Sequence, residues 1–497
     1  MASLAPSVPP EHVGPRARRW PIPDNRWHGV SDPPLSLALL CSGGCGFLAL
    51  GLYLRTTAPT ISWAHGGADG GDLITAAYLL GIPHPTGYPL WVLAAHVATW
   101  VPVGDVAFRV NAFSALCGAL TVGLVAACTV KIAQRLEAES PPTLGPALAG
   151  SAAGLAFAIS PMLWSQSTIA EVMTMHTALV SALLLLALRV EGARQSKTTL
   201  FELGLVAGAS LSVHRTALLS VLAVAPLLVR PWRKTQWPQF AIAALGVALG
   251  LAPYALLSLR AGAAPAADWG HPATIEAFLH HVSGADYGYL LTIVPLPQAL
   301  ERFATIPHQV AEQFTWLGFG LVLLGGYRLA TRDRNTSIAL AVTFSANVVF
   351  ALLYGGEGSE SYLLPAFGVA AIWLGLGLLA LVDAMRNHGF VVQTSVAAVC
   401  TAVLLVAGAQ RAPSLDLSDD RQARTLAEAT LIAAAPDTMV FRSDDAAAFT
   451  LRYLQAVEGL RPDVAVVDPR LLRFQWYRDG LETLYPSIPE IKLLHAQ

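Results

Sequence analysis

Apolar runs close to the ~20 residues needed to cross a hydrocarbon core recur along this chain, divided by short polar segments. They fall at 35–54, 106–130, 143–160, 171–188, 199–213, 216–229, 239–259, 309–327, 337–353, 362–383 and 391–410, and predict about eleven transmembrane helices. The two runs within 199–229 are short for spans, and 87–102 could add a helix that only dips into the membrane. After residue 410 the pattern changes. TMVFRS (438–443) and VAVVD (464–468) read as strands, with the amphipathic AAAFTLRYLQAVEGL (446–460) between them. The expected fold is therefore an α-helical polytopic membrane protein with a small C-terminal α/β domain. Its divisions are a polar, Pro-rich leader (1–34), a membrane domain (35–410) with outer loops 55–105 and 260–308, and a soluble unit (411–497).

Composition supports this. Of 497 residues, 54% are hydrophobic and 13% charged, about half the charged fraction of a soluble chain. The net charge of −2 and the lack of a basic stripe give no reason to expect a nucleic-acid partner. Cys41, Cys45, Cys117, Cys128 and Cys400 all lie inside apolar runs, so neither a disulfide framework nor a Cys/His metal site is expected. The sequence has no P-loop to drive transport with ATP and no GxSxG elbow. The leader reads as preceding an uncleaved first helix, although a signal anchor has a similar pattern.

Basic residues set the orientation, because cytoplasmic loops collect Lys and Arg. Arg16, Arg18, Arg19 and Arg26, then Lys131/Arg135, Arg189/Arg194/Lys197, Arg230/Arg233/Lys234, Arg328/Arg332/Arg334 and Arg386 all fall on one side of an eleven-span arrangement. The N-terminus is then cytoplasmic. The loops 55–105 and 260–308 and the C-terminal unit lie outside.

Polar clusters stand out in so apolar a chain. The first outer loop carries HGGADGGDLITAAYLLGIPHPTGYPLW (65–91), with Asp69, Asp72, His65 and His84. Asp69-Gly70-Gly71 suits a turn, and a carboxylate at the membrane face suits a general base. Asp72 precedes an apolar helix and could cap it, orient a substrate or basic partner, or do both. Pro83, Pro85 and Pro89 stiffen the turn presenting His84, either to a cavity or as an ordinary loop histidine. Arg109, Arg215 and Arg260 are outer-side exceptions to the charge rule. Each could snorkel to headgroups or offer a guanidinium fork to phosphate, and His214-Arg215 is the strongest phosphate candidate. Glu171 begins a span, where an acid often serves the helix dipole. Tyr362 lies at an interface where tyrosines are common.

The pattern D-x-G-[DE]-L/F-I-x-A-A-Y-x-L-G-I-P-H-P-x-G-Y-P-L, present from Asp69 to Leu90, resembles that of a bacterial membrane family of unassigned function. That family is related to the eukaryotic O-mannosyltransferase of plexin-type receptors. FRVNAFSAL (108–116), AFAISPMLWSQSTIAEVMTMHTAL (156–179), LSVHRTALL (211–219), SYLLPAF (361–367) and RPDVAVVD (461–468) extend the resemblance over most of the chain. It implies a GT-C membrane fold and a polyprenyl-phosphate sugar donor, mannose by analogy. It also implies a catalytic acidic loop and a protein or glycan acceptor, with transfer by inversion on the outer face of a bacterial-type inner membrane. Asp69 and Asp72 would be catalytic. His84, Arg109, Glu171, His214, Arg215 and Tyr362 would bind substrate. One departure is Asp72, where Glu is the expected second acid. No cofactor is expected; the two aspartates could hold a divalent ion, but cationic side chains suffice for a monophosphate. The competing readings are a transporter or flippase for a lipid-linked glycan and a non-catalytic envelope scaffold.

Overall fold

A computed structural model describes residues 35–137, 144–192, 196–232, 237–290, 294–356 and 358–496. The leader 1–34 with its arginines, together with Arg194, Arg233 and Lys234, lies outside the described residues. Each of the eleven apolar runs is helical, with 216–229 divided into Ala217–Ala223 and Ala225–Trp232. Among the described residues, seven helices are long and apolar enough to cross a membrane. The segment 87–102 holds the ten-residue helix Pro89–Ala98.

The bundle is a multi-pass membrane assembly whose helices are sorted by burial. Val106–Leu136 and Ser359–Ala384 are central, with 67% and 78% of their most apolar windows enclosed by protein. Leu39–Thr56 and Phe390–Leu415 are peripheral, with 22% and 11% enclosed, and present side chains such as Phe47 and Leu40 outward. Lipid solvates such faces as well as a protein core does, so helix association must come from close packing. The pair Lys197–Val213 and Trp237–Leu251 shows how. Gly204 and Gly208 on one helix meet Gly246 and Gly250 on the other, and a methyl group at any of the four would overlap backbone of the opposite helix.

One end of the bundle is tied by ion pairs. Arg328 and Arg386 both bind Asp383 (2.7 and 2.8 Å), and Arg135 lies 3.9 Å from Asp333. These basic residues belong to three of the loops assigned to one side by charge.

The C-terminal unit contains the expected βαβ arrangement. Strands β1 (Met439–Phe441) and β2 (Ala465–Val467) pair in parallel, joined through the helix Asp445–Ala456. It packs directly onto the loop 55–105. Trp63 Nε1–H donates to Thr450 Oγ1 (2.8 Å) and to the Ala446 carbonyl (3.0 Å), and Ser62 donates to Asp420 Oδ2 (2.5 Å). Arg424 bridges Asp105 (3.2 Å) to Glu458 (2.6 Å). Gly71 has no room for a Cβ because the Phe449 carbonyl occupies that position.

Candidate active site beneath the C-terminal unit

The loop 55–105 turns sharply before its helix: His65 and Gly66 adopt left-handed conformations, and the helix Gly70–Leu79 starts after Asp69. Asp69 holds the N-cap position but makes no side-chain capping bond. Asp72 is therefore not the cap. It sits in the first turn, and its carboxylate points to the proline-rich segment. There Asp72 Oδ2 accepts two bonds from His84, from the backbone N–H and from ring Nδ1, each 2.8 Å long.

Beyond His84 the chain reverses at Gly87 (φ +85°) and Tyr88 (φ +42°), where the helix Pro89–Ala98 begins. The turn folds the Tyr88 ring back onto His84. Its hydroxyl donates to the Pro85 carbonyl (3.1 Å) and meets His84 Nε2 at 3.0 Å. A tyrosine proton given to Pro85 leaves Nε2 to donate to the phenol oxygen, an arrangement that suits a ring protonated on both nitrogens. Asp69 Oδ2 lies 3.8 Å from the same Nε2. The imidazolium thus stands between two carboxylates that play different parts. The Asp72 side chain is 10% exposed and committed to His84, whereas that of Asp69 is 46% exposed and accessible to a ligand.

Electrostatics follow from this packing. Burial pulls the His84 pKa down, but Asp69, the bond to Asp72, the Asp72 charge and Glu171 together push it up to about 9. Asp69 is raised above its ordinary range by desolvation, with His84 opposing the shift. Burial and the Asp69 charge push Glu171 up to about 7. Its Oε1 accepts from the N–H groups of Val172 (2.8 Å) and Met173 (3.4 Å), so it both caps a helix and contributes to the field around Asp69 and His84.

An aromatic relay extends the group inward. The Tyr88 ring stacks on His214 at 5.8 Å, and His214 lies 5.6 Å from Tyr362. Thr216 Oγ1 contacts His214 Nδ1 (2.7 Å) and His176 Nε2 (3.4 Å). Arg215 adjoins this relay, but its guanidinium donates to the Ser283 carbonyl in the loop 260–308. It forms no ion pair with a carboxylate among the described residues.

Asp69, Asp72, His84, Glu171, His214 and Tyr362 are therefore brought together, with Arg215 at the edge. Arg109 is not. Its donors go to the carbonyls of Thr99 (2.7 Å), Val103 (3.1 Å) and Gly104 (3.0 Å), where the chain leaves the helix Pro89–Ala98. Arg260 likewise binds the carbonyls of Leu80 and Leu79 at the end of the acidic-loop helix. His65 binds Thr168 and the Ser414 carbonyl. Among the described residues, no group of three or more His, Cys, Asp or Glu side chains is arranged to hold a metal ion, and His84 occupies the space between the two aspartates.

Sequence reasoning missed Tyr88, His176 and the roof. Tyr88 could have been found, since a tyrosine four residues after His84 sits in the same rigid turn. Phe449 and Trp269, whose rings lie 6.5 and 6.3 Å from His84, carry no local signal.

Comparison with known proteins agrees with this architecture. Residues 69–238 match the family described as the protein O-mannosyl-transferase TMEM260 N-terminal domain, and residues 423–490 match TMEM260-associated domain 2. The chain is 27% identical over 448 residues to the protein O-mannosyl-transferase TMEM260 of Mus musculus, covering 85% of this chain and 62% of that protein. It is 22% identical over 495 residues to the Dictyostelium discoideum counterpart, covering 88% of this chain and 58% of that protein. The chain thus spans about three fifths of the length of these relatives. Among solved structures, ArnT from Cupriavidus metallidurans bound to undecaprenyl phosphate aligns with TM-score 0.55 at 12% identity, over 87% of this chain and 90% of that one. The Archaeoglobus fulgidus oligosaccharyltransferase in its apo form aligns with TM-score 0.54 at 11% identity, over 91% and 68%. The chain is therefore a multi-pass membrane protein with the GT-C fold, similar in both its membrane and C-terminal regions to the TMEM260 protein O-mannosyl-transferases.

Proposed function

We propose that this protein is a membrane glycosyltransferase that moves a sugar, mannose by analogy with its relatives, from a polyprenyl-phosphate donor to a hydroxyl group of a protein. The observation that carries this reading is the accessible Asp69 carboxylate held 3.8 Å from an imidazolium that Asp72 fixes in place. ArnT, a neighbour in fold, is bound to undecaprenyl phosphate, which supports the donor class.

In this mechanism Asp69 accepts the hydroxyl proton as the acceptor oxygen bonds to the anomeric carbon. The bond from that carbon to the phosphate oxygen breaks on the opposite side, so configuration inverts and the lipid phosphate leaves with the electron pair. The raised pKa of Asp69 makes it a stronger proton acceptor than an ordinary carboxylate while it is ionised. His84 offsets the charge of the two aspartates, allowing an anionic donor to approach. Arg215 supplies the fork for the phosphate. The site faces the outer side of an inner membrane in the topology set by the loop charges.

The test is transfer of labelled sugar from a polyprenyl-phosphate donor to a protein acceptor by purified enzyme. Asp69→Asn should lower turnover roughly 10²–10⁴-fold with donor binding little changed. Near-normal transfer by a correctly inserted variant would reject the assignment.

A further inference from the structure

The back of the turn that carries His84 is closed by a short helix of the loop 260–308. Thr274 caps this helix, Ile275–Ser283, by accepting the Ala277 N–H at 3.1 Å, and Gly284 ends it in the left-handed conformation (φ +62°). Phe278 and Val282 on its inner side pack against Ile82 and Leu257. His281 stands with them and is 2% exposed. The adjacent His280 is exposed and pairs with Asp286 at 2.9 Å. His281 has no such outlet: neither ring nitrogen has a hydrogen-bond partner among the described residues. Burial, aided by the charge on His84 and opposed by Asp286 and Asp72, pushes its pKa down to about 4, so the ring is neutral. A neutral imidazole still carries one N–H, and leaving that donor and the opposite lone pair unpaired in a buried setting is costly. An aliphatic side chain of similar volume would avoid the cost.

What the ring offers instead is thinness. A Cβ on Gly87 would come within 3.0 Å of Nε2, and a Cβ on Gly270 within 3.1 Å of Nδ1. These two glycines, with φ of +85° and +74°, form the walls of a slot. The imidazole is a flat spacer between the backbone of the PHPTGYP turn and the backbone of the loop 260–308. Gly87 N–H donates to the His84 carbonyl (3.0 Å), so one wall belongs to the turn that aims His84 at Asp72 and Asp69. The helix is anchored at its far end. Arg215 donates to the Ser283 carbonyl, and Gly284 leaves room for the guanidinium, since a Cβ there would fall 2.8 Å from Nη1. We propose that His281 is a positioning residue for glycosyl transfer: by spacing Gly87 from Gly270 it holds the turn at the depth that keeps His84 between its two aspartates. The inference rests on the glycosyl-transfer reading and adds to it a residue that acts through the backbone of the turn.

The test compares His281→Asn, His281→Leu and His281→Ala in full-length protein in detergent, with polyprenyl-phosphate mannose as the donor and rates normalised to folded protein. Leu conserves volume and avoids the unpaired nitrogens, so a residue that only fills space would tolerate it. Asn is smaller and polar, but planar. Spacing by a flat group predicts that Asn keeps a substantial part of the parental kcat. Leu and Ala should each lose on the order of 10–100-fold in kcat, with the donor KM within about threefold of the parent. A double-mutant cycle checks the contact itself. Gly270→Ala should lower kcat less in the His281→Ala background than in the parent, because the strain of the left-handed alanine is common to both and cancels. Parental kcat in the Leu variant, an Asn variant no better than Leu, or an additive cycle would each overturn the proposal. If His281→Ala fails to fold, the comparison of Asn with Leu decides the matter. No transfer by the parent would sink the glycosyl-transfer reading and this role with it, whereas a transferring parent beside an unimpaired Leu variant sinks this proposal alone.

Discussion

Asp72→Asn tests the link between the two aspartates. Asp72 Oδ2 accepts two 2.8 Å bonds from His84 and supplies much of the charge that keeps the ring protonated. Asparagine retains one acceptor oxygen and loses the charge. A charge-assisted bond contributes ~1.5–3 kcal/mol, which at ~1.4 kcal/mol per pKa unit lowers the ring by about one to two units. The sign follows from the raised value. The folded pKa of about 9 exceeds the ordinary histidine value of 6.5, so the stabilisation from His84 is complete below the lower value and is lost as pH rises through the higher one. The alkaline limb of donor binding, near pH 9 in the parent, should therefore move down by about one to two units in the variant, while donor affinity at neutral pH should change by no more than about twofold, because at least half of the ring is still protonated there. Asp72→Glu, which restores the residue expected from the family pattern, should keep the limb near its parental position. The assay is donor-lipid binding and labelled-sugar transfer between pH 6 and 10, normalised to folded protein. An Asn variant with an unmoved alkaline limb would refute the claim that Asp72 maintains the imidazolium.

The remaining expectations concern the phosphate, the roof and the topology. Arg215→Ala should weaken donor binding by about 1.5–3 kcal/mol and nearly abolish transfer, with Arg215→Lys intermediate; unchanged binding and turnover in the Ala variant would remove Arg215 from the phosphate site. Gly71→Ala drives a methyl group into the Phe449 carbonyl and should cost ~1–3 kcal/mol, read as a lower Tm and faster proteolysis between the bundle and the C-terminal unit; a parental melting curve would contradict that packing. Reporter fusions after residues 75, 265 and 420 should report outside and those near 195 and 332 inside, and an inside signal at 75 would dismantle the site.

Much of the architecture was legible in residue order because it depends on local chemistry. An apolar run in lipid must satisfy its backbone internally, so each became a helix, and the alternation around 438–468 foretold two strands and the helix between them. The PHPTGYP segment marked a rigid turn, since its prolines and glycine restrict φ wherever the chain goes. Charge along the loops grouped Arg135, Arg328 and Arg386, and the ion pairs at one end of the bundle agree with that grouping. Residue type alone could not say what each polar group would find as a partner. Arg109 and Arg215 looked alike as arginines at outer helix ends, yet one is used up on three nearby carbonyls while the other adjoins His214. Asp72 read equally well as a helix cap until the chain reversal delivered His84 to it. The roof was wholly beyond sequence reading. Trp63 and Thr450 are 387 residues apart in the chain, and such contacts are chosen by which surfaces fit once the helices have packed. Period and propensity operate over a few residues, whereas the site is closed by partners delivered from distant parts of the chain.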